Sequence, residues 1–371
     1  MNATIKKLRV LIVDDSAFMR KVLHGIIAAD PLMEVAGQAK DGHEAISMAE
    51  SLKPDVIKMD INMPHMDGLQ ATEHIMSQNP RPIVVVSSES REGAASTLIA
   101  LELGAIDFVS KPSSGVDLDM KSVADDLNRK LKMAAKVRVI RTAARPKHHA
   151  AGAHHAPAGP ANSDEASDSG GTGNRFPVVV IAASTGGPAT VMRLAEAFPA
   201  DFPAAVVLVQ HMPANFTSQY AIQLADVTEI EVKQAQTNEV LRQRILYVCP
   251  GSHHLRISSL GQIVLDDVPR ISGYRPCADL TMETAANWAG SMATGVVLTG
   301  MGNDASRGAQ AIRAAGGFVI AQDEATSVIF GMPAEAIKTG AVNQVLPLDQ
   351  IFSVLDKHVR QIARLAQTVL R

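Results

Sequence analysis

Apolar residues along this chain come in two rhythms that alternate. Runs such as LRVLIV (8–13), DVIKMD (55–60), PIVVVSS (82–88) and DFVSKP (107–112) are nearly continuous, as strands buried on both faces are. Between them, apolar positions recur every three or four residues. In 16–27, Met19, Val22, Leu23, Ile26 and Ile27 share one helical face, and Ser16 is placed to cap it. MEVAGQA (33–39) adds a strand and HEAISMAESL (43–52) a helix. Such alternation predicts a parallel, doubly wound sheet with helices on both faces.

The rhythm stops between Thr142 and Arg175, where there is no Ile, Leu, Val, Met, Phe, Trp or Tyr. A segment of Ala, Gly, Pro, His and Ser cannot bury enough apolar surface to offset its ordering entropy. As a random coil its ends would lie on the order of 30 Å apart. From Phe176 the alternation resumes, with strands expected at PVVVIA (177–182), AAVVLVQ (204–210), ILYV (245–248), GQIVL (261–265), GVVLTG (295–300) and GGFVIA (316–321). In the last helix Ile351, Leu355, Val359, Ile362 and Val369 keep roughly to one face. The expectation is two α/β domains, each a doubly wound parallel sheet, at 5–125 and 176–371. A flexible linker, 126–175, joins them.

Composition narrows the class. At 371 residues and 46% hydrophobic, the chain can build two packed cores. A net charge of −3 gives no global basic field. From Phe176 onward 14 Lys and Arg face 16 Asp and Glu, a net of −2, where a DNA-binding half should be basic. Cys249 and Cys277 form no CxxC, which suits a reducing cytosol and offers no thiolate metal site. MNATIKKLRV lacks a signal-peptide core, and no apolar run reaches the ~18 residues of a membrane span. The expected location is cytoplasmic, without membrane insertion or nucleic acid. His148, His149, His154 and His155 in the linker read as a solvated cluster more readily than as a metal site.

In doubly wound sheets, functional groups gather beyond the C-terminal strand ends. Asp14 and Asp15 end the first strand, Asp60 ends DVIKMD, Ser87 ends PIVVVS and Lys111 ends DFVSK. Three carboxylates side by side repel unless a cation sits among them. A few hard oxygen ligands suit Mg²⁺, which keeps some waters and accepts phosphate oxygens. One strand-end Asp is an ordinary helix cap; five matched groups are hard to assign to capping alone.

LIVDDS, MDINMPHMDGL, VVVSS and GAIDFVSKP together resemble a response-regulator receiver domain over residues 8–111. The resemblance implies a flavodoxin-like fold in which Asp60 accepts a phosphoryl group from a histidine kinase. Asp14 and Asp15 would help hold Mg²⁺ with Asp60, and Lys111 would contact the phosphoryl. Ser87 would report the modification, Phe108 is the usual aromatic switch position, and the Lys111–Pro112 bond would be cis. Lys58 departs from the pattern, since receivers usually carry an apolar residue there; it is expected to snorkel from the strand end.

IAASTGGPAT (181–190) ends a strand on Ser184 and two glycines before a helix. Taken alone, this is either an ordinary turn or a nucleophile at the mouth of a sheet. His211 follows AAVVLVQ and Asp304 follows GVVL, so a serine, a histidine and an aspartate stand at three strand ends. Ser184 as nucleophile, His211 as base and Asp304 as orienting group would form a hydrolytic triad. Glycines in GMG (300–302) and the helix start near Pro188 would favour an oxyanion. Ala182 breaks GxSxG, so this is no lipase-type fold.

ASTGG, QHMPANFT and LTGMGND, in that order behind a receiver, resemble the chemotaxis protein-glutamate methylesterase family. The resemblance implies a Rossmann-like catalytic domain with the triad Ser184, His211 and Asp304. The Met301 N–H would serve the oxyanion and Thr185 would line the site. The substrate would be a glutamate methyl ester on a chemoreceptor, hydrolysed without a cofactor to glutamate and methanol, and receptor glutamine would lose ammonia. The unphosphorylated receiver would pack over the Ser184 crevice, with Ser87 and Phe108 as transmitters. Ala305 departs where the family usually has glycine. Two rival readings are a receiver with a DNA-binding output and a non-catalytic scaffold.

Overall fold

The computed structural model describes residues 6–88, 90–111, 120–137 and 175–369. The four linker histidines and the Lys111–Pro112 bond lie outside the described residues.

The first domain alternates strand and helix. It contains β1 (Leu8–Val13), α1 (Ala17–Ala28), β2 (Met33–Ala39), α2 (Gly42–Leu52), β3 (Val56–Asp60), α3 (Gly68–Gln78), β4 (Ile83–Ser88), α4 (Arg91–Glu102), β5 (Asp107–Lys111) and α5 (Met120–Ala134). All strand pairs are parallel, in the order β2-β1-β3-β4-β5. Val10 to Val13 and Ile83 to Val85 are fully buried, the reason these runs are apolar without a break. The Ser16 hydroxyl accepts from the Met19 N–H and starts α1, and Leu23 and Ile27 turn inward. α5 corrects the expected linker start at 126. The helix continues to Ala134 and buries Leu127, Leu131 and Ala134 under the sheet. The spacing of those three positions carried the signal.

The second domain has β6 (Val178–Ala183), α6 (Gly187–Ala195), β7 (Ala205–Gln210), α7 (Ala214–Val227), β8 (Glu231–Gln234), β9 (Ile245–Val248), β10 (His254–Ile257), β11 (Ile263–Asp266), α8 (Ala278–Ala289), β12 (Ala293–Val297), α9 (Ser306–Ala314), β13 (Phe318–Gln322), α10 (Met332–Lys338), β14 (Gln344–Leu346) and α11 (Leu348–Val369). Seven strands form one parallel sheet, β14-β13-β12-β6-β7-β9-β8. GQIVL does not join it: β11 pairs antiparallel with β10 in a separate ribbon. β8 and β14 close the two edges of the sheet. Their sequences, EVKQ and QVL, are mixed because an edge strand is half covered, and so they carry no apolar run to read.

The two domains share a packed boundary. α4 lies on α6 and α7. Phe108 of β5 stacks on Phe216 of α7, with ring centroids 4.4 Å apart. One apolar cluster runs from the first sheet into the second. The boundary therefore falls at the C-terminal edge of the second sheet, where β6 and β7 end.

Candidate functional site

In the second sheet the strand order reverses at β6. The chain goes from β6 to β7 and β9 on one side, and later to β12, β13 and β14 on the other. Ser184 is the residue just past β6, at this switch point. β7 beside it delivers His211, and β12 on its other side leads to Asp304. The Ser184 N–H donates to Thr299 O (3.0 Å), and Ser184 O accepts from Gly187 N (2.7 Å). The tightness of the turn explains its glycines. Gly186 has φ +75°, and a Cβ there would lie 2.5 Å from Val328. A Cβ on Gly300 would lie 2.8 Å from the Ser184 Cβ.

Asp304 is 1% exposed and fully hydrogen-bonded. Its Oδ2 accepts from His211 Nε2 (2.7 Å) and Ala278 N (2.7 Å). Its Oδ1 accepts from Asp279 N (2.9 Å), Ala305 N (3.1 Å) and Cys277 Sγ (3.3 Å). The carboxylate thus sits on the first N–H groups of α8, where a negative charge is favoured. Burial alone would raise its pKa; the hydrogen bond and charge of His211, with the two helix N–H groups, outweigh burial and hold it below the ordinary carboxylate value. Burial, reinforced by the Asp304 charge, pushes the Cys277 thiol up to about 12, so it donates as a neutral S–H. Tyr274 stacks on the His211 ring, 4.8 Å between centroids and 19° from parallel.

Ser184, Thr185, Gln210 and His211 line a crevice of about 90 Å³. Its other wall is the first domain: Asp107, Phe108, Arg129 and Lys130. Thr185 Oγ1 donates to Asp107 Oδ2 at 2.6 Å, and Lys130 pairs with Asp107 at 3.2 Å. Met301 does not line the crevice; its Sδ accepts from Arg129 Nη1 at 3.1 Å. Among the described residues the Met301 N–H donates to no other group.

At the first sheet's switch point, between β1 and β3, Asp14, Asp15 and Asp60 bring ligand oxygens within 4.8 Å of one another. Lys111 Nζ lies 2.7 Å from Asp60 Oδ2. Burial raises the Asp60 pKa, against the opposing charges of Lys58 and Lys111. Ser87 is buried, and its hydroxyl donates to Gly93 O at the start of α4 (3.1 Å). Phe108 is also buried, against Phe216. Lys58 does not snorkel. It is 0% exposed, and its ammonium is 2.5 Å from Asp14 Oδ2; burial lowers its pKa, opposed by Asp14 and Asp60.

Family models match in two places: the response regulator receiver domain over residues 10–121 and CheB methylesterase over 179–355. A protein-glutamate methylesterase/protein-glutamine glutaminase of Pyrococcus abyssi is 42% identical over 98% of this chain and 96% of its own length. The chain belongs to the protein-glutamate methylesterase/protein-glutamine glutaminase family. A relative of the same name from Thermotoga maritima is 40% identical over 94% of this chain and 97% of its own. The crystal structure of the Thermotoga maritima CheB methylesterase catalytic domain is 38% identical, covers 49% of this chain and 98% of that one, and superposes with a TM-score of 0.48.

Several groups around this crevice escaped sequence reasoning. Gln210 is 1% exposed, and its Nε2 donates to Ser184 O (2.9 Å) and to His211 O (3.4 Å), tying two strand ends together. Its signal was a polar residue closing an apolar run. Tyr274, Cys277 and the α8 N–H groups come from one turn and helix start, 271–279, with no motif to mark it. Asp107 and Lys130 act at a boundary between domains, which local sequence does not describe. No described helix is long and apolar enough to cross a membrane.

Proposed function

We propose that Ser184, His211 and Asp304 hydrolyse glutamate methyl esters on chemoreceptors, under control of phosphorylation at Asp60. The observation that carries this reading is the buried Asp304 carboxylate, held by donors on both oxygens and directed at His211 beside Ser184. Because Asp304 takes Nε2, Nδ1 is the nitrogen left to remove the Ser184 proton. The Ser184 oxygen attacks the ester carbonyl, and His211 passes that proton to the departing methoxy group, giving methanol and an acyl-serine. Water, deprotonated by His211, then releases glutamate and restores Ser184. The uncommitted Met301 N–H is a donor for the oxyanion. With a receptor glutamine the same steps release ammonia.

The first domain's role is a regulated cover. The crevice as it stands holds a few waters and not a receptor helix. Its far wall consists of residues on β5 and α5 of the same domain that carries the acid pocket. The hard, closely spaced oxygens of Asp14, Asp15 and Asp60 fit Mg²⁺. Bound there, the ion would neutralise charge on an incoming phosphoryl group. Asp60 offers the accepting carboxylate, Lys111 a counter-charge and Ser87 a hydroxyl. A Ser87 hydroxyl turned towards a phosphoryl on Asp60 would give up Gly93 O and loosen α4, which packs across the boundary on α6 and α7. Cover and opening shift only as far as the two states differ in energy with the phosphoryl present.

The test is methanol release from methylated receptor membranes, with and without a small phosphodonor and Mg²⁺. Release that rises with phosphodonor in wild type and stays flat in Asp60→Asn supports both halves of the reading. No release under any condition removes the esterase; release indifferent to phosphodonor removes the cover.

A further inference from the structure

Lys58 has no place in the mechanism above. It stands two residues before Asp60 on β3, so the two side chains leave the sheet on the same face. Its ammonium is 2.5 Å from Asp14 Oδ2 and 3.1 Å from Val13 O, wholly out of solvent. A lysine buried this completely is rare and persists only with partners. The other Asp14 oxygen accepts from the Ser16 N–H at 3.1 Å. Lys111 holds Asp60 at 2.7 Å. Asp15, exposed at the rim, has no ion pair among the described residues. Three carboxylates and two ammonium groups leave the pocket at a formal −1.

We propose that Lys58 is a resident cation of the acid pocket, which neutralises Asp14 in the metal-free receiver and sets its affinity for Mg²⁺ low. The proposal rests on the reading that Asp14, Asp15 and Asp60 take a divalent ion. Lys58 acts on such an ion in two ways. It occupies an oxygen of Asp14, and it adds a like charge a few ångströms from where the ion would sit. A single charge about 5 Å from a divalent ion changes affinity by at least roughly tenfold even at the dielectric constant of water. Removing Lys58 therefore tightens Mg²⁺ binding and makes the metal-free domain less stable, because Asp14 is left buried without its counter-charge.

Titration calorimetry of Mg²⁺ into the full-length chain tests this, with circular dichroism melting in chelator alongside. Lys58→Met, which keeps most of the volume, should bind Mg²⁺ at least about tenfold tighter than wild type and melt lower in chelator. Its melting temperature should recover on adding Mg²⁺ by more than that of wild type. Lys58→Arg, which keeps the charge, should stay near wild-type affinity. Lys58→Thr carries the same expectation as Lys58→Met if the latter does not fold. Asp15→Asn should strongly weaken the binding heat. Equal or weaker affinity in the charge-removing variants overturns the role of Lys58 while leaving the metal site standing. No Mg²⁺ binding by wild type or any variant overturns both.

Discussion

The two sheet edges solve the same problem in different ways. Each collects acidic side chains at the switch point of a parallel sheet, where burial makes charge expensive. At the edge of the first sheet the compensation is mobile in kind: two lysine ammonium groups, with Asp15 left at the rim. At the edge of the second it is fixed. The Asp304 carboxylate takes two α8 N–H groups, a thiol, a loop N–H and an imidazole. Side-chain cations can yield to a divalent ion or a phosphoryl group. Backbone donors cannot leave, so the second edge is preorganised for one kind of step. What compensates the charge, rather than the fold, separates an edge that can take up a new charge from one that is fixed.

The largest expected effect divides the two edges cleanly. Ser184→Ala should lower ester hydrolysis by at least about 10⁴-fold, as triads do when a member that acts as part of a unit is lost. It should still accept a phosphoryl group from a small donor; full loss of phosphorylation in a folded Ser184→Ala protein would show that the edges are not independent. Asp304→Asn comes next, with a loss of about 10³–10⁴-fold, because the amide fails to orient the imidazole and stabilise its charged form. This variant also has a pH signature. The folded pKa of Asp304 lies below its ordinary 3.8, so it adds stability above that value, and the gain is lost as pH falls through the lower folded one. Acid-unfolding curves of Asp304→Asn should accordingly be shallower below pH ~4 than those of wild type; curves of equal slope count against an ionised carboxylate there.

A smaller effect concerns the boundary between the edges. Asp107→Ala removes the 2.6 Å bond to Thr185. A charge-assisted bond of this kind contributes about 1.5 kcal/mol or more. Resting methanol release should therefore rise by about tenfold, while the phosphodonor-stimulated rate stays the same. An unchanged resting rate would mean that the Phe108–Phe216 stack and α4 hold the cover without Asp107. The smallest effect is one of backbone. Ala305 is buried with φ +78°, a left-handed conformation that its methyl disfavours and that glycine adopts freely. Ala305→Gly should raise stability by about 1 kcal/mol or less, since relief of strain is partly offset by glycine's freedom when unfolded. Denaturant titration would show it, and a lower midpoint would contradict the strain.

Much of this was present in the chain as written. The central strands are apolar throughout because they are covered on both faces, and parallel connections force their C-terminal ends to one side. Asp14, Asp15, Asp60, Ser87, Lys111, Ser184, His211 and Asp304 could be placed at those ends from position alone. Three things depended on tertiary structure. Lys58 read as a strand-end side chain bound for water, yet Asp14, 44 residues earlier in the chain, captured it inside. The donors that hold Asp304 come from the start of α8, about 25 residues away, and the roof of the crevice from β5 and α5, between 54 and 78 residues from Ser184 and Thr185. Edge strands β8 and β14 gained their conformation from neighbours rather than from their own composition. A local apolar period records which face of an element is buried; it carries no record of which distant charge, amide or domain will cover the polar group at its end.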